Sequence, residues 1–353
     1  MSGVSSLKEN AGRYISCRKN RVLKMINNSI TVVIPAHNSE KTISKCLRAI
    51  KRQSFPPMEV IVVDDRSTDK TVEIAQELAV VIPNTHRKGA GGARNTGGYV
   101  ARGNIIAFTD SDCIPPKDWL KNIASVFSDA EVGAVGGGYS SGIDESFWQR
   151  FCHEELKFRR RRRDGQAESL VSNNLACRKS IFLEEQGFPE QYPVCEDMLF
   201  SHRISEKSKV IWLNNNGVQH HFVDSLKAFL GHQYFFGAES TRFFLQNPKT
   251  LTADNHQGKT LHVVIILALL SALTLLLAGG SLLSGKFELG GIFLLILLLL
   301  ISTHFLLYLR FIRHLAEIKL PNIPKAYGVS LLRDLFCGIS IFDGIYRAIA
   351  HRK

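Results

Sequence analysis

Two apolar runs constrain this chain before anything else does. Leu261 to Gly285 and Leu289 to Leu309 contain no Asp, Glu, Lys or Arg, and only Lys286, Phe287 and Glu288 stand between them. A helix that crosses a bilayer needs about 20 largely apolar residues, and each run supplies that. Uncharged runs this long are uncommon in soluble cores, so the pair predicts a transmembrane helical hairpin over 261–310 rather than two buried core helices. A hairpin returns the chain to the side it left. Arg310, Arg313, His314 and Lys319 follow the second run closely, and the positive-inside rule assigns that side to the cytoplasm. The expected location is therefore the cell membrane, multi-pass, with the region before the hairpin cytoplasmic.

That earlier region has a different pattern. "ITVVIPAHNS" predicts a buried strand over Ile30–Ile34, with Ser39 capping a helix whose Ile43, Leu47 and Ile50 share one face. "EVIVVDDRSTD" predicts a second strand over Glu59–Val63 and a helix from about Lys70, with Val72, Ala75 and Leu78 inward. "GNIIAFTDSD" and "EVGAVGGG" predict two more strands. Continuous apolar strands alternating with helices define an α/β fold, a mainly parallel sheet with helices on both faces. The expected domain runs over 29–255, after a polar, basic lead-in at 1–28 that has no apolar run of a signal peptide.

Charge and cysteine content narrow the partners. The formal net charge of +12 suits nucleic acid, an anionic membrane surface or a phosphorylated substrate. The seven cysteines are odd in number and form no C-x-x-C pair, which argues against a disulfide framework or zinc site and for a reducing compartment. The last stretch, 326–353, places Leu331, Leu335, Ile339, Phe342 and Ile349 on one helical face, with Arg333, Asp343 and Arg347 opposite. It is expected as an amphipathic interfacial helix with its basic residues facing anionic headgroups, or else packed on the preceding domain. Arg333, Asp334 and Asp343 argue against a third span.

In open α/β sheets ligands bind beyond the carboxyl ends of the strands, and the polar residues cluster there. Asp110 and Asp112 follow the strand "IIAFT" one residue apart. Residues i and i+2 of an extended chain point to one side, and like charges that close call for a cation. Hard divalent ions such as Mg²⁺ or Mn²⁺ favour this oxygen donor set together with substrate phosphates. Asp64 and Asp65 end their strand in the same way, either as turn formers or as acceptors for a base or ribose. "HRKGAGGARNTGG", His86 to Gly98, is glycine-rich and basic, which suits phosphates. Glu196 and Asp197 open an apparent helix, where acidic residues are ordinary helix-dipole chemistry unless a catalytic base is needed nearby.

Taken in order, "VVIPAHNSEKTISKCLRAI", "VIVVDDRSTDKT", "GAGGARNTG", "IIAFTDSDC", "NNLACRKSIFLEEQGF" and "CEDMLFSHRI" resemble glycosyltransferase family 2, with its GT-A fold, over about Ile30 to Phe236. The resemblance implies that Pro35, Ala36 and His37 border the nucleotide base, that Asp65 contacts the base, and that Arg94 lies beside the nucleotide. It implies that Asp110 meets the ribose or metal, that Asp112 binds the metal, and that Asn173 and Asn174 lie near the donor sugar or acceptor. Asp197 is then the catalytic base, with Glu196 beside it in the substrate site. Two motifs depart from the family's pattern: "DDRS" stands where "DDGS" is frequent, and "NSE" where "NEE" is usual. No Q-x-x-R-W follows Asp197, which argues for single transfer.

The resulting expectation is a metal-dependent inverting glycosyltransferase. It moves a sugar from a nucleotide-diphosphate sugar, a UDP-sugar first among them, to a lipid-linked or other membrane-associated acceptor in glycan or polysaccharide assembly. A processive polysaccharide synthase and a catalytically silent membrane scaffold of the same fold are the alternatives. The joint presence of Asp65, Asp110, Asp112 and Asp197 argues against the scaffold. The run Arg159–Arg163 is by default a solvated segment, with headgroup or lipid-pyrophosphate contact as the functional reading. No nucleic acid partner is expected, since no nucleic-acid module accompanies the run. His220 and His221 are candidates to assist diphosphate or metal binding.

Overall fold

The computed structural model describes residues 29–140, 146–159, 164–251 and 260–350; the lead-in over 1–28 and residues 160–163 of the arginine run lie outside them. The chain divides into two compact units. One is built from the residues up to Ser140 and from the stretch ending at His220; the other is built from the helix between them and everything from His221 on.

The first unit is organised by β1 (Ile30–Ala36), which runs parallel to β2 (Glu59–Asp64) on one side and to β4 (Ile105–Thr109) on the other; β3 (Val80–Pro83) extends the sheet in parallel beyond β2. β8 (Asn174–Arg178) is antiparallel between β4 and β6 (Val132–Tyr139). β9 (Lys209–His220) runs parallel to β6 and carries two short antiparallel strands, β5 (Cys113–Ile114) and β7 (Gly165–Gln166). The sheet is thus mainly parallel, as the apolar runs require. Alternation sends neighbouring side chains to opposite faces. Ile30, Val32 and Ile34 meet Ile43, Leu47 and Ile50 of α1 (Ile43–Lys51), while Val33 joins Ala93 and Phe182 on the far side.

One local expectation needs correction. Ser39 does not cap α1: Thr42 holds that position without a side-chain cap, and the Ser39 hydroxyl bonds the Ser111 hydroxyl at 2.7 Å. The glycine-rich stretch "HRKGAGGARNTGG" leads into a helix. Gly91, Gly92, Gly97 and Gly98 lie inside α3 (Ala90–Val100). A Cβ at Gly97 would run into Val33, and one at Gly98 into the Phe182 ring, so this pair lets the helix backbone settle directly on the sheet. The remaining helices of the unit are α2 (Thr71–Gln76), α4 (Trp119–Val126), α6 (Lys179–Glu184) and α7 (Glu196–Ser205).

The second unit holds α5 (Phe147–Arg159), α8 (Leu226–Gln246), α9 (Thr260–Leu283), α10 (Phe287–Glu317) and α11 (Ile323–Ala350). The expected boundary at 255 therefore does not coincide with this division, since α5 and α8 pack with the later helices. Helices α9 and α10 occupy the two apolar runs, and both are long and apolar enough to cross a membrane. The second continues beyond Leu309 through Arg310, Arg313 and His314. Arg333 and Arg347 of α11 are both held in ion pairs. Arg333 is buried against Glu155 and Asp334, and Arg347 pairs with Asp343 and Glu239, each at 2.7 Å.

Candidate active site

The ends of β1 and β2 are tied to each other. The Asp65 N–H donates to the Ala36 carbonyl at 2.8 Å, His37 Nδ1 lies 2.9 Å from the Asp65 carbonyl, and the Thr68 N–H donates to Asn38 Oδ1 at 2.8 Å. Pro35 and Ala36 are buried within β1, while His37 is exposed just beyond it. Asp65 is itself buried. It accepts from Asn84 Nδ2 at 2.8 Å and from the Gly89 N–H at 2.7 Å, so it anchors the turn that starts α3. Arg66, in place of the family's frequent glycine, takes φ 66°, in the left-handed region where glycine carries no steric cost. The turn is kept, with strain in the arginine.

Arg94 projects from α3 and is 3% exposed. Its guanidinium donates to Asp110 Oδ1 at 2.7 Å and to Glu196 Oε1 at 2.9 Å. One buried cation therefore joins the end of β4 to the first turn of α7. Cys195, just before that turn, holds φ 64°, a strained conformation for a non-glycine residue, and it turns the Glu196–Asp197 pair into the site. Asp197 is half-buried. Its two oxygens accept from the Ser172 N–H and from the Met198 N–H, each at 2.8 Å, which fixes the orientation of the carboxylate. Burial raises the Glu196 carboxyl above its ordinary range, and nearby Asp197 adds to this against the pull of Arg94. Three carboxylates surround one arginine, so the cluster has an excess of negative charge.

Asp112 lies beyond β4 beside Cys113, which pairs with His220 in the β5–β9 ladder. His220 Nε2 is 3.4 Å from Asp112 Oδ2, and ligand atoms of Asp112, Cys113 and His220 lie within 4.8 Å of one another. Burial raises the Asp112 carboxyl and Asp110 adds to it, while His220 opposes both. Burial and the same two aspartates push the Cys113 thiol up. Asp112 and His220 offer a carboxylate and an imidazole, beside a second carboxylate on Asp110. That donor set fits Mn²⁺ or Mg²⁺ better than a soft metal.

The two asparagines part company. Asn174 is fully buried and spends its side chain on Trp119 Nε1, the Gly138 carbonyl and the Asn216 carbonyl. Asn173 donates to the Tyr139 hydroxyl at 2.8 Å, and its buried Oδ1 has no partner among the described residues. Asn173 is thus the one with capacity left for a ligand. Sequence reasoning missed Tyr139, whose only local signal is its place at the end of the "GGGY" strand. It gave His220 only a supporting role, because nothing local links it to Asp112.

A mainly parallel sheet that gathers aspartates, a buried arginine and a histidine at its carboxyl edge defines the GT-A architecture. The mannosyltransferase PcManGT of Pyrobaculum calidifontis, solved with GDP-Man and Mn²⁺, has this fold: the likeness covers 92% of this chain and 88% of that one, with a TM-score of 0.55 at 16% identity. The family model for glycosyl transferase family 2 matches residues 31–184. The O-antigen chain rhamnosyltransferase RfbN of Salmonella typhimurium is 30% identical over 61% of this chain and 70% of its own length. Glycosyltransferase AglE of Haloferax volcanii is 31% identical over 44% of this chain, and the chain spans about half of AglE, 52% of its length. The chain belongs to glycosyltransferase family 2.

Proposed function

We propose that this chain is a metal-dependent glycosyltransferase that moves a sugar from a nucleotide-diphosphate sugar to a hydroxyl of a membrane-associated, lipid-linked acceptor, with inversion at the anomeric carbon. The observation that carries the reading is the Arg94 bridge, which holds the carboxylate after β4 and the acidic pair of α7 in one cluster. A donor diphosphate and a hydroxyl acceptor need these two functions at the same place.

Asp112 and His220, with Asp110 adjacent, would hold the divalent ion, which when bound supplies positive charge for the leaving diphosphate. His37 borders the base, and the anchored Asp65 turn shapes the pocket edge beside it. Asp197 is the base. It takes the proton from the acceptor hydroxyl as that oxygen bonds to the anomeric carbon, and the bond from that carbon to the phosphate oxygen breaks, releasing the nucleoside diphosphate. Attack opposite the leaving group inverts the configuration. Glu196, held by Arg94, fixes the first turn of α7, and the Ser172 and Met198 N–H groups orient Asp197. Asn173 Oδ1 is available to a sugar hydroxyl.

The hairpin supports membrane anchoring, and Arg310, Arg313 and His314 at the end of α10, with Lys319 just beyond it, support a cytoplasmic site. A lipid-linked acceptor gains from an anchored enzyme, whereas a free sugar does not. The test is turnover of a panel of nucleotide-sugars by the full chain with Mn²⁺, with a short-chain polyprenyl diphosphate sugar and a free sugar as competing acceptors. Transfer to the lipid-linked acceptor with an inverted product is expected. Equal efficiency on the free sugar overturns the lipid-linked acceptor, and retention of configuration overturns the single displacement.

A further inference from the structure

The C-terminal helix α11 is inside out for a helix in water. Apart from Val329, which joins the apolar cluster near the start of the helix, the buried residues are small or polar, among them Ser330, Arg333, Asp334, Gly338, Ser340 and Gly344. The residues it turns outward are Leu332, Ile339, Phe342, Ile345, Tyr346 and Ile349, with Phe342 66% and Tyr346 71% exposed. The sequence alone leaves two arrangements open, an interfacial helix with its basic residues toward headgroups or a helix packed on the preceding domain.

The inward charges are all answered within the unit. Arg333 bonds Glu155 of α5, Asp334 and the Tyr308 hydroxyl. Asp334 also accepts from the Tyr308 hydroxyl at 2.7 Å and lies 3.0 Å from His304 Nε2. His304 Nδ1 in turn lies 3.1 Å from the Tyr327 hydroxyl. Arg333 and Asp334 therefore give no reason to keep α11 out of an apolar medium, because they never face it.

The packing of α11 is of the kind used where no hydrophobic force pushes helices together. Close backbone approach through small residues replaces interdigitated leucines. A Cβ on Gly344 would strike the Ala238 carbonyl of α8, and one on Gly338 would lie 2.6 Å from Leu269 of α9. The outward stripe is also continuous in character with the hairpin that α11 packs on, where Leu276, Leu295 and Leu306 are exposed.

We infer that the outer face of α11 is a lipid-contacting surface: Leu332, Ile339, Phe342, Ile345, Tyr346 and Ile349 lie among bilayer acyl chains, with Arg333 and Asp334 sealed inside the protein and the partly exposed Asp343 and Arg347 paired with each other, Arg347 also with Glu239. This rests on the membrane reading of the hairpin. The test uses the full chain in vesicles of phosphatidylcholine brominated on its acyl chains, which quench tryptophan on contact. The variants Phe342→Trp and, on the hairpin, Leu299→Trp are compared with the parent chain and its own three tryptophans. Loss of the added emission in both variants is the expected result. Quenching at Leu299→Trp with none at Phe342→Trp overturns the inference and leaves the hairpin reading standing. Quenching at neither overturns both. Absent quenching at 342 together with a disulfide-linked dimer of Phe342→Cys identifies a second copy of the chain, not lipid, as the occupant and likewise overturns the inference.

Discussion

In the sheet unit Ile30, Val32 and Ile34 are sealed from solvent and Asp112 stands at the rim, whereas in the helical unit Leu283 is 92% exposed and Asp334 is 0% exposed. The same chain thus follows two opposite burial rules. In water, removing apolar surface drives packing at roughly 25 cal/mol per Å², so strands hide valine and isoleucine and charges are left to a ligand. Where acyl chains are the solvent, that force vanishes and an exposed charge is the costly item. The helical unit pairs Arg333, Asp334 and Glu155 inside and leaves Leu276 and Leu283 out, the arrangement that the proposed membrane setting favours. Both units bury ion pairs, Arg94 with Asp110 and Glu196 in one and Arg333 with Glu155 and Asp334 in the other, but the sheet unit also leaves the Asp112 carboxylate at its rim.

The sharpest separation of the two rules comes from Asp112→Ala. It removes a rim charge that supports no core, so transfer is expected to vanish while circular dichroism and melting stay those of the parent. Chelation of divalent ions from the parent followed by Mn²⁺ restores turnover, and the variant does not respond to the added ion. Asp197→Asn is next: turnover falls on the order of 10²–10⁴-fold, the usual contribution of a general base, with donor affinity measured by calorimetry unchanged. A collapse of donor affinity would make Asp197 a binding residue instead.

Arg333→Met reverses the pattern, with a large stability effect and no chemical one. Breaking a buried ion pair leaves its partners uncompensated and costs about 3–5 kcal/mol, expected as a lower melting transition in detergent with donor binding retained. Replacing Arg333, Asp334 and Glu155 together by apolar residues recovers most of the loss. Gly97→Ala probes the sheet unit's packing rule. The added methyl meets Val33, and overpacking of this kind costs about 1–3 kcal/mol. The smallest change is Arg66→Gly, which relieves the left-handed backbone and gains at most about 1 kcal/mol, read as a small rise in melting temperature.

Much of the architecture was legible in the sequence, because the signals are local. The runs "ITVVI", "VIVV" and "IIAF" became β1, β2 and β4, and the uncharged runs became α9 and α10. Apolar continuity and span length are properties of a few consecutive residues, and the end of a strand fixes where its polar residues emerge. The positions of Asp65, Asp110 and Asp112 at the carboxyl edge follow from that alone. The glycines of "GARNTGG" were harder. A glycine serves a phosphate loop and a close helix–sheet contact equally well in sequence, and only the approach of Val33 and Phe182 tells them apart.

What the tertiary structure decided is which distant groups face each other. His220 comes to Asp112 only through the β5–β9 ladder, and Arg94 reaches both Asp110 and Glu196 only because α3 lies against the sheet between them. Asn173 and Asn174 are adjacent and alike in sequence, yet one keeps an oxygen with no partner among the described residues and the other is consumed by Trp119 and Asn216. The amphipathic pattern of α11 was visible from its periodicity, but its orientation was not. A period says that a helix has two faces; which face turns inward depends on the partners that answer its charges and on the solvent left for the rest. Glu155, His304 and Tyr308 answer them here, and no stretch of sequence near Arg333 carries that information.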